Sequence, residues 1–262
     1  MMLSGLRVLL AEDNPTNQLV AAQMLESLGA SVLLAADGVE ALEIVAREPF
    51  DVMLVDIEMP RVSGIEVIRA VRESSGPVAE VPMIALTAYV MREHRAAIAA
   101  AGADGVIAKP ILSIEQFGAD IRRFMRRRTD AAEAAEAASG VTRLANGVAP
   151  SVIDRNIYDT LAEAIGPAAM SELLGKVDSD MKAARARLAR ALDPIDLGEV
   201  RSVTHIMISV AGAVGALPVQ EGARRMNAAG HRDDAAAIER DMQELLGEID
   251  RMLEHLGEPN HG

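Results

Sequence analysis

The chain has 262 residues, half of them hydrophobic, a net charge of −13 and no cysteine. That length accommodates two ordinary domains with filled cores, and the missing cysteine excludes disulfides and thiolate metal sites. The charge is acidic in both parts, −5 over residues 1–127 and −8 over residues 128–262, which argues against nucleic acid as a partner.

No basic region followed by a long apolar core opens the chain, so secretion is not expected. The longest uncharged apolar run, residues 206–219, is too short for a membrane span and contains Gly212, Gly215 and Pro218. The expected compartment is the cytoplasm.

Over residues 1–127 short apolar runs alternate with amphipathic helical patterns, the signature of a parallel α/β sheet. Strands are predicted at residues 7–11, 32–35, 52–55, 83–86 and 105–108, which makes five βα units. Asn14 with Pro15, Asp37 with Glu40, and Ser113 with Gln116 mark helix starts. The last helix carries Ile114, Phe117, Ile121 and Phe124 on one stripe that should pack on the sheet. It ends in Arg122, Arg123 and Arg126 to Arg128, where cations complement the helix dipole.

Residues 128–149, rich in Ala and Glu and then in Gly and Asn, read as a linker. Residues 150–262 contain no strand-like run. Met170, Leu173, Val177, Met181, Ala184 and Leu188 form one apolar stripe, Val200, Val203, Met207, Val210 and Val214 a second, and Ile238, Met242, Leu245, Ile249, Met252 and Leu256 a third. With breaks expected at Pro194, Pro218 and Gly230, these predict antiparallel helices in a bundle.

The chemistry concentrates at the strand ends. Glu12 and Asp13 follow the first strand, Asp56 the third, Thr87 the fourth and Lys109 the fifth. In an open parallel sheet these ends meet at the topological switch point, where ligands bind. Three carboxylates there raise one another's pKa or demand a cation, and an all-oxygen set favours Mg²⁺. Asp56 could then attack phosphorus in line, with Lys109 and the Thr87 hydroxyl on the phosphoryl oxygens.

The segments L-L-A-E-D-N at residues 9–14, D-I-E-M-P-R-V-S-G at 56–64, L-T-A at 86–88 and K-P at 109–110 carry a resemblance to response-regulator receiver domains. It implies a flavodoxin-like, doubly wound (βα)5 fold with strand order 2-1-3-4-5. It also implies Asp56 as the phosphoacceptor and Mg²⁺ held by Glu12, Asp13, Asp56 and the Glu58 backbone carbonyl. Thr87 becomes the switch hydroxyl and Lys109 the phosphate-binding cation. The sequence departs from the family at Val106, where an aromatic switch residue is usual; Tyr89 is a possible substitute.

A 100° step per residue places His205 opposite the Val203 and Met207 stripe, beside Arg201, Ser202, Ser209 and Gly212, so it should reach solvent. An exposed imidazole on a rigid helix is a competent nucleophile toward phosphorus. The segment T-H-I-M-I-S-V-A-G-A-V-G-A at residues 204–216 resembles histidine-containing phosphotransfer domains, all-α bundles that present such a histidine at mid-helix. The family commonly has Lys and Gly three and four residues after it, and this chain has Ile208 and Ser209. Arg201 lies one turn earlier, and Ile208 should be partly exposed for docking. His94, His231, His255 and His261 have no comparable setting.

The two resemblances together imply a two-component phosphorelay protein that is not a histidine kinase, since no ATP-binding signature is present, and that has at most weak autophosphatase activity. Its partners would be a histidine kinase or hybrid kinase and other receiver or phosphotransfer proteins. A different class of reading is a phosphorylation-controlled binding protein, or phosphate sink, with a degenerate bundle.

Overall fold

A computed structural model of the chain describes residues 2–88, 92–111, 113–130, 152–191 and 195–257. Five parallel strands, β1 (Arg7–Ala11), β2 (Ser31–Ala35), β3 (Val52–Asp56), β4 (Met83–Thr87) and β5 (Gly105–Ala108), form one sheet in the order β2-β1-β3-β4-β5. Val8, Leu10, Val52, Leu54, Ile84 and Leu86 face one side, and Leu9, Ala11, Met53, Val55, Met83 and Ala85 the other. The strands read as continuous apolar runs because both faces are covered.

Helices α2 (Gly38–Val45), α3 (Gly64–Glu73) and α4 (Arg92–Ala100) cover one face, while α1 (Pro15–Ser27) and α5 (Ile114–Asp130) cover the other. The starts lie where the caps predict. Asn14 accepts from the Asn17 amide, Asp37 from the amides of Val39 and Glu40, and Ser113 from that of Gln116. Glu40 reaches back to the Ala36 amide, and the full reciprocal box belongs instead to Ser63 and Glu66 at the start of α3. The stripe Ile114, Phe117, Ile121 and Phe124 is buried against the sheet.

Among the described residues the carboxy-terminal part has four helices, α6 (Arg155–Arg190), α7 (Leu197–Ala213), α8 (Leu217–His231) and α9 (Ala235–Gly257). The first two stripes named from the sequence are buried throughout, and the third except at Leu256. Gly166, at φ +80°, kinks α6 just before Pro167.

Two of the expected breaks are displaced by a few residues, to 214–216 and 232–234. Pro218 sits in the first turn of α8, where a missing amide hydrogen costs nothing. Gly230 lies within the same helix, where the Arg201 side chain passes 3.0 Å from the position of a Cβ. Pro194, Tyr89, His261 and residues 131–149 of the expected linker lie outside the described residues.

The two parts are packed together along α1, which touches both α6 and α7. Val20, Ala21, Ala22, Met24 and Leu25 of α1 belong to one apolar core that runs from the sheet into the bundle. This helix has apolar residues on more than one face because it is covered on two sides. At its first turn the Thr16 hydroxyl donates to Asp180 Oδ2 of α6 at 2.5 Å.

Candidate functional site

The strand ends gather the residues singled out from the sequence. Glu12, Asp56, Thr87 and Lys109 are all buried, and Asp13 is half-buried. One carboxylate oxygen each from Glu12, Asp13 and Asp56 lies within 4.8 Å of the other two. Lys109 Nζ donates to Asp56 Oδ2 at 2.6 Å and to Glu12 Oε2. Asn17 Nδ2 holds the second Glu12 oxygen at 3.2 Å, and the Glu58 amide donates to Asp56 Oδ1 at 3.1 Å. The Lys109 amide donates to the Thr87 carbonyl at 2.8 Å, which fixes the fifth strand end beside the fourth.

The electrostatics follow from burial of opposed charges. Desolvation pushes Glu12 up to about 7, with the Asp56 charge adding to it and Lys109 opposing. Desolvation also works to raise Asp56, but the Lys109 cation and His205 outweigh it and hold that carboxyl at about 2. Burial and the neighbouring Asp56 raise Asp13. For Lys109 desolvation favours the neutral amine, yet the Asp56 and Glu12 charges reverse this and raise its pKa.

His205 is where the structure departs most from the sequence reading. The helical step does put it opposite the Val203 and Met207 stripe, but that face is covered by the sheet-containing half, and the side chain is 12% exposed. Its Nδ1 lies 2.6 Å from Glu58 Oε2, and its Nε2 lies 3.9 Å from Asp56 Oδ2. Burial opposes its charge, but the neighbouring Asp56 and Glu58 carboxylates override this and lift the imidazole to about 10. Glu58 is correspondingly lowered by His205 despite partial burial.

The neighbours of His205 follow the same correction. Ile208 is 2% exposed and belongs to the core, so it presents no docking patch. Ser209 is buried as well and lines a cavity of ≈ 30 Å³ with Glu12, Asn17, Lys109 and Pro110, which shows how closely the two halves meet. Arg201 donates to the Gly230 carbonyl at 3.0 Å and lies 3.8 Å from Asp233, so it is engaged with the end of α8. His255 is exposed, and the His94 side chain lies outside those described.

Sequence reasoning did not find the Glu58 carboxylate, which had been given only a backbone role. Its signal was its place two residues after Asp56, on the same loop that faces the ligand crevice. Val106, where the aromatic switch residue is missing, packs partly buried against the core on the opposite sheet face from α1.

The donor set suits a hard divalent cation. Glu12, Asp13, Asp56 and Glu58 face Lys109 and His205, so the cluster is acidic, and the chain has no cysteine thiolate to add. Three carboxylate oxygens already converge there.

Residues 8–122 match the response regulator receiver domain family, and this half of the chain is a receiver domain. The chain is 30% identical over 221 residues to the aerobic respiration control sensor protein ArcB of Escherichia coli K12, covering 84% of this chain and 27% of that protein. It is 30% identical over 220 residues to the sensor histidine kinase AruS of Pseudomonas aeruginosa, covering 84% and 20%. Both alignments are longer than the receiver and so reach into the helical half. The response regulator MprA of Mycobacterium leprae is 39% identical over 130 residues, covering 49% and 55%.

Among solved structures, the receiver domain of the sensor histidine kinase PA1611 from P. aeruginosa, with a magnesium ion coordinated in its active site cleft, is 35% identical. It aligns with a TM-score of 0.44 over 47% of this chain and 99% of that one. The chain thus spans about a quarter of the length of ArcB and a fifth of that of AruS.

Proposed function

We propose that this chain is a phosphorelay protein in which Asp56 takes a phosphoryl group from a phosphohistidine and exchanges it with His205 of the same molecule. One observation carries this reading: His205 Nε2 lies 3.9 Å from Asp56 Oδ2, inside the pocket that also holds Lys109, Glu12 and Asp13. A reacting nitrogen sits about 3–3.5 Å from phosphorus. The imidazole therefore only has to withdraw by a short distance for a phosphoryl group to stand between it and Asp56.

Lys109 places its charge on the phosphoryl oxygens and, with the Thr87 hydroxyl, neutralises what develops there during transfer. A magnesium ion, where bound, would be held by Glu12, Asp13 and Asp56 with the Glu58 carbonyl, and would offset the remaining negative charge. The partners are a histidine kinase or hybrid kinase upstream and further receiver or phosphotransfer proteins, and the bundle α6–α9 acts as the histidine-containing phosphotransfer domain.

The competing reading, a binding protein whose bundle is degenerate, rests on Ile208 and Ser209 standing where the family has Lys and Gly. Both side chains are buried. The test is to incubate the protein with a phosphorylated upstream kinase and Mg²⁺ and to compare wild type with Asp56→Asn and His205→Ala. Label on both side chains in wild type, lost at His205 when either residue is changed, is expected; a His205 that is never labelled overturns the reading.

A further inference from the structure

In the relay Glu58 contributes its backbone carbonyl, and its carboxylate lies beside His205 instead. We propose that it is a positioning residue for His205, lending the phosphotransfer histidine a carboxylate supplied by the receiver itself and not by the bundle. This rests on the relay reading above.

The geometry is specific. An imidazole has two nitrogens, and the one that donates a hydrogen bond decides which is left with a lone pair. His205 Nδ1 is 2.6 Å from Glu58 Oε2, so the Nδ1 proton lies on that contact. Nε2 is left pointing at Asp56, with no hydrogen-bond partner among the described residues. Glu58 is itself fixed, because its amide donates to Asp56 Oδ1 at 3.1 Å. The loop that carries the phosphoacceptor therefore also sets the ring plane of the acceptor histidine. Other polar groups of α7 cannot take this part. Among the described residues Ser209 Oγ finds no partner, and Arg201 is turned to Gly230 and Asp233.

The transfer step balances once the ring has given its Nε2 proton to solvent. The Nε2 lone pair then attacks phosphorus, the N–P bond forms, and the P–Oδ2 bond breaks with its electron pair returning to Asp56 as carboxylate. The ring keeps its Nδ1 proton and becomes a phosphoimidazolium cation, whose charge Glu58 faces directly. In the reverse direction the same cation is the better leaving group, so one carboxylate serves both directions.

Glu58→Ala, Glu58→Gln and Glu58→Asp in the full chain test this. Asp56 is phosphorylated with a labelled small acyl phosphate and Mg²⁺, and alkali-stable phosphohistidine is followed per molecule of alkali-labile phosphoaspartate. In parallel, proton NMR follows the His205 Nδ1–H. Glu58→Ala should slow transfer at least tenfold and abolish the slowly exchanging Nδ1–H signal. Glu58→Gln should keep the signal but transfer slowly, and Glu58→Asp should recover part of the rate.

Transfer by Glu58→Ala at the wild-type rate, or an unchanged Nδ1–H signal in that variant, overturns the inference while leaving the relay standing. A wild type that never labels His205 overturns the relay itself. Should Glu58→Ala resist phosphorylation at Asp56, the NMR signal alone decides.

Discussion

Gly212 of α7 lies against Pro110 of the receiver so closely that a Cβ on Gly212 would stand 2.5 Å from Pro110 Cγ and 2.8 Å from its Cβ. Pro110 follows Lys109 directly, so the approach of the bundle and the geometry of the site are set by one contact. Glycine at this position is explained by the receiver as much as by the neighbouring α8.

Gly212→Ala is therefore expected to part the two halves. Overpacking here costs roughly 1–3 kcal/mol, a loss in the docked population of about fivefold to a hundredfold. The added methyl also meets Gln220, whose amide donates to the Ile208 carbonyl at 3.1 Å. Hydrogen exchange should show α1 and α7 losing protection, and His205 labelling should slow while Asp56 is still phosphorylated by a small acyl phosphate.

Thr16→Val should weaken the same docking from the other end of the seam. It removes the 2.5 Å donation to Asp180, a hydrogen bond to a charged group worth about 1.5–3 kcal/mol. Asp180→Asn should cost less, since an amide oxygen still accepts from Thr16. A double-mutant cycle on the transfer rate checks the pairing, and additive effects would count against it.

Asp13→Asn is expected to raise the magnesium concentration needed for Asp56 phosphorylation by roughly tenfold or more, as loss of a group from a metal site generally does. Its carboxylate is one of the three that converge within 4.8 Å. A magnesium titration by calorimetry on wild type and variant reads this directly, and chelation should abolish phosphorylation in both.

Acid should loosen the bundle in a defined way. Arg185 donates to Asp250 at 2.6 and 2.8 Å, tying α6 to α9, and Arg187 donates to Glu199 at 2.7 and 3.2 Å, tying α6 to α7. Hydrogen bonding to these arginines lowers both carboxyls from their ordinary 3.8 and 4.5. A carboxyl lowered in the folded state stabilises above its unfolded pKa, and that gain is lost as pH falls through the folded value. The pairs are partly exposed, so each contributes only ~0.2–1 kcal/mol. The Tm difference between wild type and Arg185→Ala/Arg187→Ala should be present at pH 6 and shrink as the pH falls below the ordinary values of 3.8 and 4.5.

Much of the site could be read in advance because its residues sit where strands end. Five apolar runs place five strand ends, and Glu12, Asp13, Asp56, Thr87 and Lys109 follow them directly in sequence. The docking could not be read in this way. Periodicity shows which face of α7 is apolar and says nothing about what covers the face bearing His205, Ser209 and Gly212, whose polar and small residues look solvated. The two-sided apolar character of α1, with Val20, Ala21, Ala22, Met24 and Leu25, was the available hint.

Helix α8 was hidden for another reason. Its buried face includes Gln220 and Asn227, whose amides are satisfied by the Ile208 and Arg201 carbonyls and the Thr204 hydroxyl, and these interrupt the apolar stripe.

Movement of a phosphoryl group between Asp56 and His205 within one molecule is tested most directly by a dilution series. Chains phosphorylated at Asp56 are diluted a hundredfold, and the rate of His205 labelling is compared with that of an equimolar mixture of His205→Ala and Asp56→Asn chains. A wild-type rate constant that does not change on dilution, with slow and concentration-dependent transfer in the mixture, is predicted. A wild-type rate that falls in proportion to concentration and is matched by the mixture would contradict it.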